Sequence, residues 1–297
     1  MKLKPGDTIG ITCPSGYVSM ERVAFAKKVF ERWGLKVVLG DTVGNEFNYF
    51  AGTDDQRRVD LQLMLDSTEI NAIMMGRGGY GMSRIIDDLD FTAFRENPKW
   101  ICGFSDITAL HEHIQANWGI PTIHGPMCGH FKPETENTEY IQGIRKIMFG
   151  EQMSYITPAS QYNRPGTAKG KIVGGNLSLL VHLTGSASEV NTNGKILFIE
   201  DLDEYLYHID RMLLHLRRAD KLSGLAGLIV GGFSDMKDTE RPFGKNIYEL
   251  ILDHVKDYSY PVCFDFPAGH IDINYPIVMG AEHEMVVAID GGKIKTI

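Results

Sequence analysis

The stretch WICGFSDITAL, residues 100–110, places a serine where an apolar run ends and a helical pattern begins. A serine hydroxyl attacks a carbonyl group only when a base removes its proton and the resulting oxyanion is stabilised. The backbone N–H groups that open a helix point outward and carry partial positive charge, so they suit an oxyanion. Ser105 is therefore a candidate nucleophile, although Ile107 replaces the second glycine of a G-x-S-x-G elbow. The simpler alternative for Ser105 is an N-cap on the following helix.

The same three letters recur at Phe233-Ser234-Asp235, again after an apolar, strand-like run. The segment that follows this copy is charged and is broken by Pro242 and Gly244. No helix N-terminus is expected to point at Ser234. We interpret the recurrence as chance and assign no second nucleophile.

A serine nucleophile needs a base, and the chain has ten histidines. His111 and His113 stand two apart in a helical pattern and face different sides, which makes them a poor metal pair. His124 and His130 lie near a strand end, and either could line a cleft. His270 differs because it lies in the loop PAGH just after a strand, where α/β sheets build their sites. The residues alone leave His124 and His130 as alternatives to His270.

An acid that orients the base is the third requirement, because a carboxylate fixes the imidazole tautomer and stabilises the imidazolium. Glu200 ends the apolar run KILFIE, and Asp201, Asp203 and Glu204 follow within four residues. Spacing does not choose among these four acids. Their alternative role is to favour the N-terminus of the next helix, which explains Asp203 and Glu204 better than Glu200.

The elements that must position these residues alternate in the first half of the chain. Alternating strands and helices predict a parallel sheet covered on both faces. Thr53 and Gln56 also form the pattern of a capping box. The predicted strands are Asp7–Thr12, Leu35–Leu39, Ile70–Met75, Trp100–Phe104 and Pro121–His124, and the predicted helices are Met20–Trp33, one from Thr53, Met82–Leu89, Ile107–Asn117 and Thr138–Phe149.

The second half follows a different rhythm. Residues 151–168 contain two prolines and no clear period, so we expect a linker there. Strands and helices after residue 169 end in a hairpin that turns at Asp290-Gly291-Gly292. The predicted fold is α/β, with an N-terminal parallel-sheet domain of flavodoxin or Rossmann type at 1–150 and a smaller C-terminal α+β mixed-sheet domain at 169–297.

Composition excludes several classes of protein. The 297 residues carry a net charge of −8 without a Lys/Arg block, so nucleic acid and anionic membranes are poor partners. No apolar run is long enough to span a bilayer, and Gly6 and Asp7 interrupt any signal peptide. The four cysteines are scattered and form no CxxC pair, so we expect reduced core residues, no metal site and a cytoplasmic protein.

A binding function of another class is suggested by GRGGYG at residues 76–81. It satisfies the dinucleotide pattern G-x-G-x-x-G between a predicted strand and a predicted helix. The acid that should meet the ribose would be Asp106, at the end of the next strand. The motif follows the third predicted strand rather than the first, which weakens this alternative.

Five segments of the chain, in order, resemble the LD-carboxypeptidase family of serine peptidases. This group includes murein tetrapeptide carboxypeptidases and microcin C self-immunity peptidases. The resemblance spans nearly the whole chain and rests on GRGGYG (76–81), CGFSDIT (102–108), GGNLSLL (174–180), IEDLDEYLYHIDRML (199–213) and FPAGH (266–270).

The resemblance implies a catalytic triad in which Ser105 is the nucleophile, Glu200 the orienting acid and His270 the base. It implies an oxyanion hole from the backbone N–H groups of Gly79 and Asp106. The first domain would carry the serine and the second the acid and base, in a homodimer that needs no metal or cofactor. For substrate contacts we expect Asn176, Gly78 in the GRGGYG loop, and Arg77, for which a structural salt bridge is an equal alternative.

The substrate implied by the resemblance is a murein peptide. The enzyme would release terminal D-alanine from L-alanyl-D-glutamyl-diamino acid-D-alanine during cell-wall recycling, with lysine or diaminopimelate as the diamino acid. A microcin-immunity type of enzyme would instead cleave an aminoacyl-nucleotide conjugate. Such an enzyme should stack the base on an aromatic residue of a C-terminal loop, whereas Trp33, Trp100 and Trp118 all lie in the first half. A non-catalytic binding module is disfavoured because all three triad positions are intact.

Overall fold

The structure is a computed structural model that describes all residues from Met1 to Ile297. The chain forms two compact units. The first comprises Met1–Glu151 and Tyr275–Val278, and the second comprises Gln152–Asn274 and Met279–Ile297. The chain therefore re-enters the first unit for four residues near its C-terminal end.

Thirteen strands and eight helices make up the two units. The strands are β1 Thr8–Thr12, β2 Lys36–Leu39, β3 Ala72–Met75, β4 Trp100–Gly103, β5 Thr122–His124, β6 Ser154–Thr157, β7 Gly166–Asn176, β8 Ile196–Leu202, β9 Gly227–Ser234, β10 Val262–Cys263, β11 Ile277–Met279, β12 Glu282–Ala288 and β13 Gly291–Thr296. The helices are α1 Met20–Arg32, α2 Asp54–Asp66, α3 Thr92–Glu96, α4 Thr108–Asn117, α5 Glu139–Met148, α6 Leu177–Leu183, α7 Leu206–Arg218 and α8 Ile247–Val255.

The first unit contains a six-stranded sheet in the order β11-β5-β4-β3-β1-β2. The pairs β1–β2, β1–β3, β3–β4 and β4–β5 are all parallel. Every residue of β3 and β4 is buried, as expected for strands covered on both faces. The predicted parallel-sheet domain is confirmed, and so is the capping box that Thr53 and Gln56 form at the start of α2.

The helix predicted at Met82–Leu89 is wrong. The chain forms two short 3₁₀ turns there, Met82–Arg84 and Ile86–Asp88. The N–H of Met82 donates to the carboxylate of Asp106 at 2.8 Å, which fixes the first turn from outside. Two aspartates at the end of this segment also oppose the dipole of a continuous helix.

The second unit contains a seven-stranded mixed sheet in the order β10-β9-β8-β7-β12-β13-β6. Strands β7 to β10 pair in parallel. Strands β12, β13 and β6 add antiparallel pairs on the β7 side. The predicted C-terminal hairpin is confirmed as β12–β13, but its turn is Ile289-Asp290, because Gly291 and Gly292 of the predicted turn already pair in β13 with Ala288 and Val287.

The segment at residues 151–168, predicted to be a linker, belongs to the second unit from Gln152 onward and does not form a connection between units. It supplies β6 at the sheet edge and the first residues of β7. Only Tyr155 and Thr157 of β6 point to the core, and Pro158 follows at once. Two alternating positions are too few for a periodic signal, which is why the sequence pattern did not predict this strand.

All four cysteines are free thiols buried in the two cores. Burial raises the pKa of Cys13 to about 12 and that of Cys263 to about 11, so neither thiol ionises near neutral pH. None of the eight helices combines the length and the apolar character that crossing a bilayer demands.

A buried lysine caps the C-terminal end of α2 in the first unit. The ammonium group of Lys99, only 1% exposed, donates to the carbonyl groups of Met64, Leu65 and Ser67. These carbonyls lie at the helix end, where they lack intrahelical partners and favour a cation. We expect Lys99→Met to lower the free energy of unfolding by about 2–4 kcal/mol, because the carbonyls stay buried without donors. Urea unfolding followed by circular dichroism measures this loss.

The control for this prediction is Lys28→Met, at an exposed position of α1. It should change the free energy of unfolding by less than about 0.5 kcal/mol. Equal effects of the two substitutions would contradict a capping role for Lys99.

Candidate active site

Ser105 stands at a sharp turn after β4. Its backbone is left-handed, with φ of 64°, and it begins a 3₁₀ turn that leads into α4. Left-handed backbone is uncommon for residues other than glycine, and such strain concentrates at functional sites. No side chain caps either the turn or α4, so the N-cap alternative for Ser105 is wrong. The local geometry is that of a serine displayed at a strand-to-helix corner.

The glycines of the loop at 76–81 lie against this corner. A Cβ atom added at Gly78 would stand 3.0 Å from Cβ of Ser105 and 3.2 Å from the carbonyl oxygen of Phe104. Gly79 has φ of 104°, and its N–H group makes no hydrogen bond within the chain. The glycines therefore permit a close approach of backbone to Ser105 and leave the Gly79 N–H group for an external acceptor.

The structure contradicts both features that the dinucleotide-binding alternative requires, a helix after the glycine loop and an acid that reaches the ribose. The loop leads into 3₁₀ turns rather than a helix whose N-terminus could hold a pyrophosphate. The carboxylate of Asp106 is 1% exposed and accepts hydrogen bonds from Ser15 Oγ at 2.6 Å and from the Met82 N–H at 2.8 Å. A carboxylate so buried does not reach a ribose. Instead, it ties the loops after β1 and β3 to the turn that carries Ser105.

Arg57 performs a similar task, and sequence reasoning missed it. This fully buried side chain of α2 donates to the carbonyl of Gly81 at 3.0 Å and to that of Pro14. It also forms an ion pair with Asp54. Burial lowers its pKa from the ordinary value for arginine. Nothing in the spacing of α2 distinguishes this arginine from the half-buried Arg58 beside it.

Arg77, in contrast, projects from the same glycine loop as an exposed side chain. Its Nη1 donates to the carbonyl oxygen of Tyr17 at 2.9 Å. No carboxylate lies within ion-pair distance, so the salt bridge considered for Arg77 is not formed.

Within the second unit, Glu200 and His270 meet directly. Glu200 lies on β8 with its side chain fully buried, and His270 follows β10 in a loop. One carboxylate oxygen, Oε2, lies 2.6 Å from Nδ1 of the imidazole and accepts the His270 backbone N–H at 3.1 Å. Because a carboxylate only accepts, Nδ1 carries the proton and the Nε2 atom of the neutral ring can act as a base.

The loop before His270 is shaped for this contact. Gly269 has φ of 109°, and a Cβ atom there would lie 2.7 Å from Cβ of Glu200. The N–H of Gly269 donates to Oδ1 of the buried Asn274 at 2.9 Å. Glycine at position 269 is thus required both by backbone conformation and by space.

The other three acids near Glu200 have different partners. Asp201 accepts from Ser178 and from Nδ2 of Asn176, and burial raises its pKa. Asp203 forms an ion pair with Lys237, and Glu204 contacts Nδ1 of His208 at 2.7 Å. Of the four candidates, Glu200 is therefore the one on the loop histidine.

The remaining sequence candidates lie in structural positions. Asn176 is the N-cap of α6, accepting from the Leu179 N–H at 3.2 Å, so its contact with a substrate stays a prediction. His124 is fully buried against Phe104, and His130 bonds within its own turn to Met127.

Comparisons with family models and known relatives identify the family of this chain. The model of the LD-carboxypeptidase N-terminal domain matches residues 9–125, and that of the C-terminal domain matches residues 169–285. A probable murein peptide carboxypeptidase of Bacillus subtilis (strain 168) is 35% identical over 289 residues, which cover 96% of this chain and 91% of that protein. A murein tetrapeptide carboxypeptidase of Pseudomonas aeruginosa is 24% identical over 277 residues, covering 88% of this chain and 87% of that protein.

Solved structures share the fold. The muramoyltetrapeptide carboxypeptidase of Oxalobacter formigenes superposes with a TM-score of 0.89 at 24% identity, over 97% of this chain and 98% of that chain. The microcin C7 self-immunity protein MccF, in the apo state of an inactive mutant, has a TM-score of 0.86 at 25% identity, over 100% and 98%. With two domain models matched in order and relatives aligned over nearly its full length, the chain belongs to the LD-carboxypeptidase family of serine peptidases.

Proposed function

We propose that this enzyme hydrolyses the L,D-peptide bond of murein tetrapeptides and releases terminal D-alanine, with Ser105, Glu200 and His270 as its catalytic triad. The observation that carries the proposal is the buried Glu200 carboxylate on Nδ1 of His270. A carboxylate in that position orients an imidazole as the base for a serine hydroxyl. The left-handed turn at Ser105 and the murein peptide names of relatives from Bacillus and Pseudomonas support the same reaction.

In the proposed mechanism, Oγ of Ser105 attacks the scissile carbonyl carbon and passes its proton to Nε2 of His270. The oxyanion accepts hydrogen bonds from the backbone N–H groups of Gly79 and Asp106. Collapse of the intermediate breaks the C–N bond, and the imidazolium protonates the amine of the leaving D-alanine. Water, deprotonated by His270, then attacks the ester and frees Ser105. Glu200 stabilises the imidazolium in both halves of the reaction.

We assign the terminal carboxylate of D-alanine to Arg77 and to the backbone around Gly78. A guanidinium matches a carboxylate with two parallel N–H donors. Arg77 is exposed and has no acidic partner, whereas the nearby Arg84 is paired with Asp54. A carboxypeptidase needs such a cation, because it must distinguish a chain end from an internal bond.

We further propose that the enzyme works in the cytoplasm, as a homodimer, in peptidoglycan recycling. Four buried thiols suit a reducing compartment. The dimer follows from the family resemblance and is tested by the mass measured in light scattering. The recycling role follows from the substrate, since a free tetrapeptide arises when murein is degraded.

Replacement of the nucleophile tests the chemistry. We expect Ser105→Ala to reduce D-alanine release by more than about 10³-fold, with the unfolding midpoint retained. His270→Ala should lose a similar factor, because triad members act as a unit. Purified protein is incubated with L-alanyl-D-glutamyl-diamino acid-D-alanine, containing either lysine or diaminopimelate, and the tripeptide is quantified by mass.

The matched control is Ser154→Ala, at an exposed serine of β6, which should retain full activity. Undiminished D-alanine release by Ser105→Ala would overturn the nucleophile assignment. A glutamyl sulfamoyl nucleoside is assayed in parallel. Faster cleavage of that conjugate than of every tetrapeptide would favour the microcin-immunity type of activity.

Removal of the Arg77 charge tests recognition of the chain end. We expect Arg77→Met to raise KM by about 10–100-fold with a smaller change in kcat, since about 1.5–3 kcal/mol of charge-assisted binding is lost. On a peptide that ends in D-alaninamide, which has no terminal carboxylate, Arg77→Met should have the same KM as wild type. Steady-state kinetics on the acid and amide substrates measure both effects.

Arg84→Met serves as the control, because that arginine already has a carboxylate partner. It should preserve the preference for the acid over the amide. An Arg77→Met enzyme that still prefers the acid by the wild-type factor would contradict the assignment.

A further inference from the structure

The strand beside Glu200 is irregular at the residue that faces it. The register of β8 and β9 pairs Ile199 with Val230 but Asp201 with Phe233. Gly231 and Gly232 of β9 therefore both stand opposite Glu200, as in a β-bulge. Bulges of this kind re-aim the strand that follows, and here they re-aim the segment Phe233-Ser234-Asp235.

Both glycines make room for the loop that carries His270. A Cβ atom at Gly231 would lie 2.6 Å from the carbonyl oxygen of Ala268, and one at Gly232 would lie 2.5 Å from Cγ2 of Ile271. The Gly232 N–H also donates to the carbonyl of Ala268 at 2.9 Å. The loop is thus packed directly on the end of β9, from Ala268 to Ile271.

Ser234 is the residue of β9 that reaches His270. Its hydroxyl donates to the carbonyl oxygen of His270 at 2.7 Å. Its own carbonyl accepts the N–H of Asp203, three residues beyond Glu200, at 3.0 Å. Ser234 therefore connects the segment after the acid to the loop of the base.

The backbone of His270 is consequently held from both sides. Its N–H group donates to Glu200, and its carbonyl group accepts from Ser234. Fixing the two peptide groups that flank a Cα atom fixes the direction of its Cα–Cβ bond. The imidazole then meets the Glu200 carboxylate with only the two torsions of its own side chain, χ1 and χ2, left free to rotate.

We propose that Ser234 is a positioning residue for His270. The Ser234 hydroxyl holds the imidazole base on Glu200. The second Phe-Ser-Asp segment, which the sequence presents as a chance repeat of the first, thereby serves the same reaction as Ser105. The kinetic part of this inference rests on the proposed function of His270 as base. Its structural part concerns the His270–Glu200 hydrogen bond alone.

Substitution of Ser234 in the full-length chain tests the proposal. Ser234→Ala should lower kcat for D-alanine release by about 10–100-fold with KM within about twofold, because a misplaced base slows the chemical step and leaves binding intact. Ser234→Thr keeps the hydroxyl and should recover kcat to within about threefold of wild type. The control Ser223→Ala removes an exposed hydroxyl that bonds to Asp220 in the same unit, and should change neither constant.

A proton NMR measurement tests, without substrate, whether Ser234 holds His270 on Glu200. In ¹⁵N-histidine-labelled protein, the Nδ1–H proton of His270 is assigned by its loss in His270→Gln. It should be sharp in wild type, Ser234→Thr and Ser223→Ala, and broadened by exchange with water in Ser234→Ala. Ser234→Cys, with a weaker donor of similar size, should lie between, and it replaces the alanine variant if that protein fails to fold.

Three results would overturn the proposal. The first is an unchanged kcat with an unchanged proton signal in Ser234→Ala and Ser234→Cys. The second is a loss of kcat in Ser234→Ala that Ser234→Thr does not restore. The third is a fall in the unfolding midpoint of Ser234→Ala without a change in its kcat. Failure of the proposed function looks different. Wild type and Ser105→Ala would then both leave the tetrapeptide intact, while the proton signal would still report whether Ser234 holds His270.

Discussion

A single carboxylate oxygen, Oε2 of Glu200, binds both the ring and the backbone of His270, and the second unit is arranged around that interaction. Removing a carboxylate from water costs several kcal/mol unless charge-assisted hydrogen bonds offset the loss. Two donors from one residue offset it only if that residue comes very close. Gly269 in the loop and the two glycines of the β9 bulge allow this approach, since a Cβ atom at any of them would collide with a neighbour.

The first unit meets a comparable constraint with different means. Ser105 adopts a left-handed backbone, which costs of the order of 1–3 kcal/mol and persists only when its surroundings hold it. Those surroundings are two buried charged side chains. Asp106 bonds to Ser15 and Met82, and Arg57 bonds to Pro14 and Gly81, so the loops after β1 and β3 are each held twice. Neither charge is needed for the hydrophobic core, which suggests that loop geometry accounts for their burial.

Much of the fold could be predicted from the sequence because local patterns encode it. The strand and helix alternation of the first half and the capping box at Thr53 are signals contained within about a dozen residues. The strand at 154–157 offered only two inward positions, and the short strand at Ile277–Met279 had no periodicity to detect. The turns at 82–88 depend on a hydrogen bond to Asp106, which no local pattern reports.

The candidate site, like the fold, could be predicted from the sequence only in part. The residue types and strand ends identified Ser105 as a nucleophile candidate, but they left several histidines and acids open until the family resemblance selected His270 and Glu200. The structure then separates the acids by their partners. Arg57 and Ser234 escaped prediction because their contacts join residues 24 to 43 and 36 positions apart in the chain. A sequence pattern with no partner in view cannot report such pairs.

Strand β11 has a consequence for how the chain is made. It covers the outer edge of β5 in the first sheet, and Tyr275 just before it donates to Glu139 at 2.6 Å. On a ribosome, these residues emerge only after almost all of the second unit, so the nascent first sheet waits with an open edge whose N–H and C=O groups can pair with other chains. A fragment cut after Glu151 would keep that edge permanently. Exchange of units between relatives must therefore transfer two separate stretches of gene, with the short late stretch as necessary as the long early one.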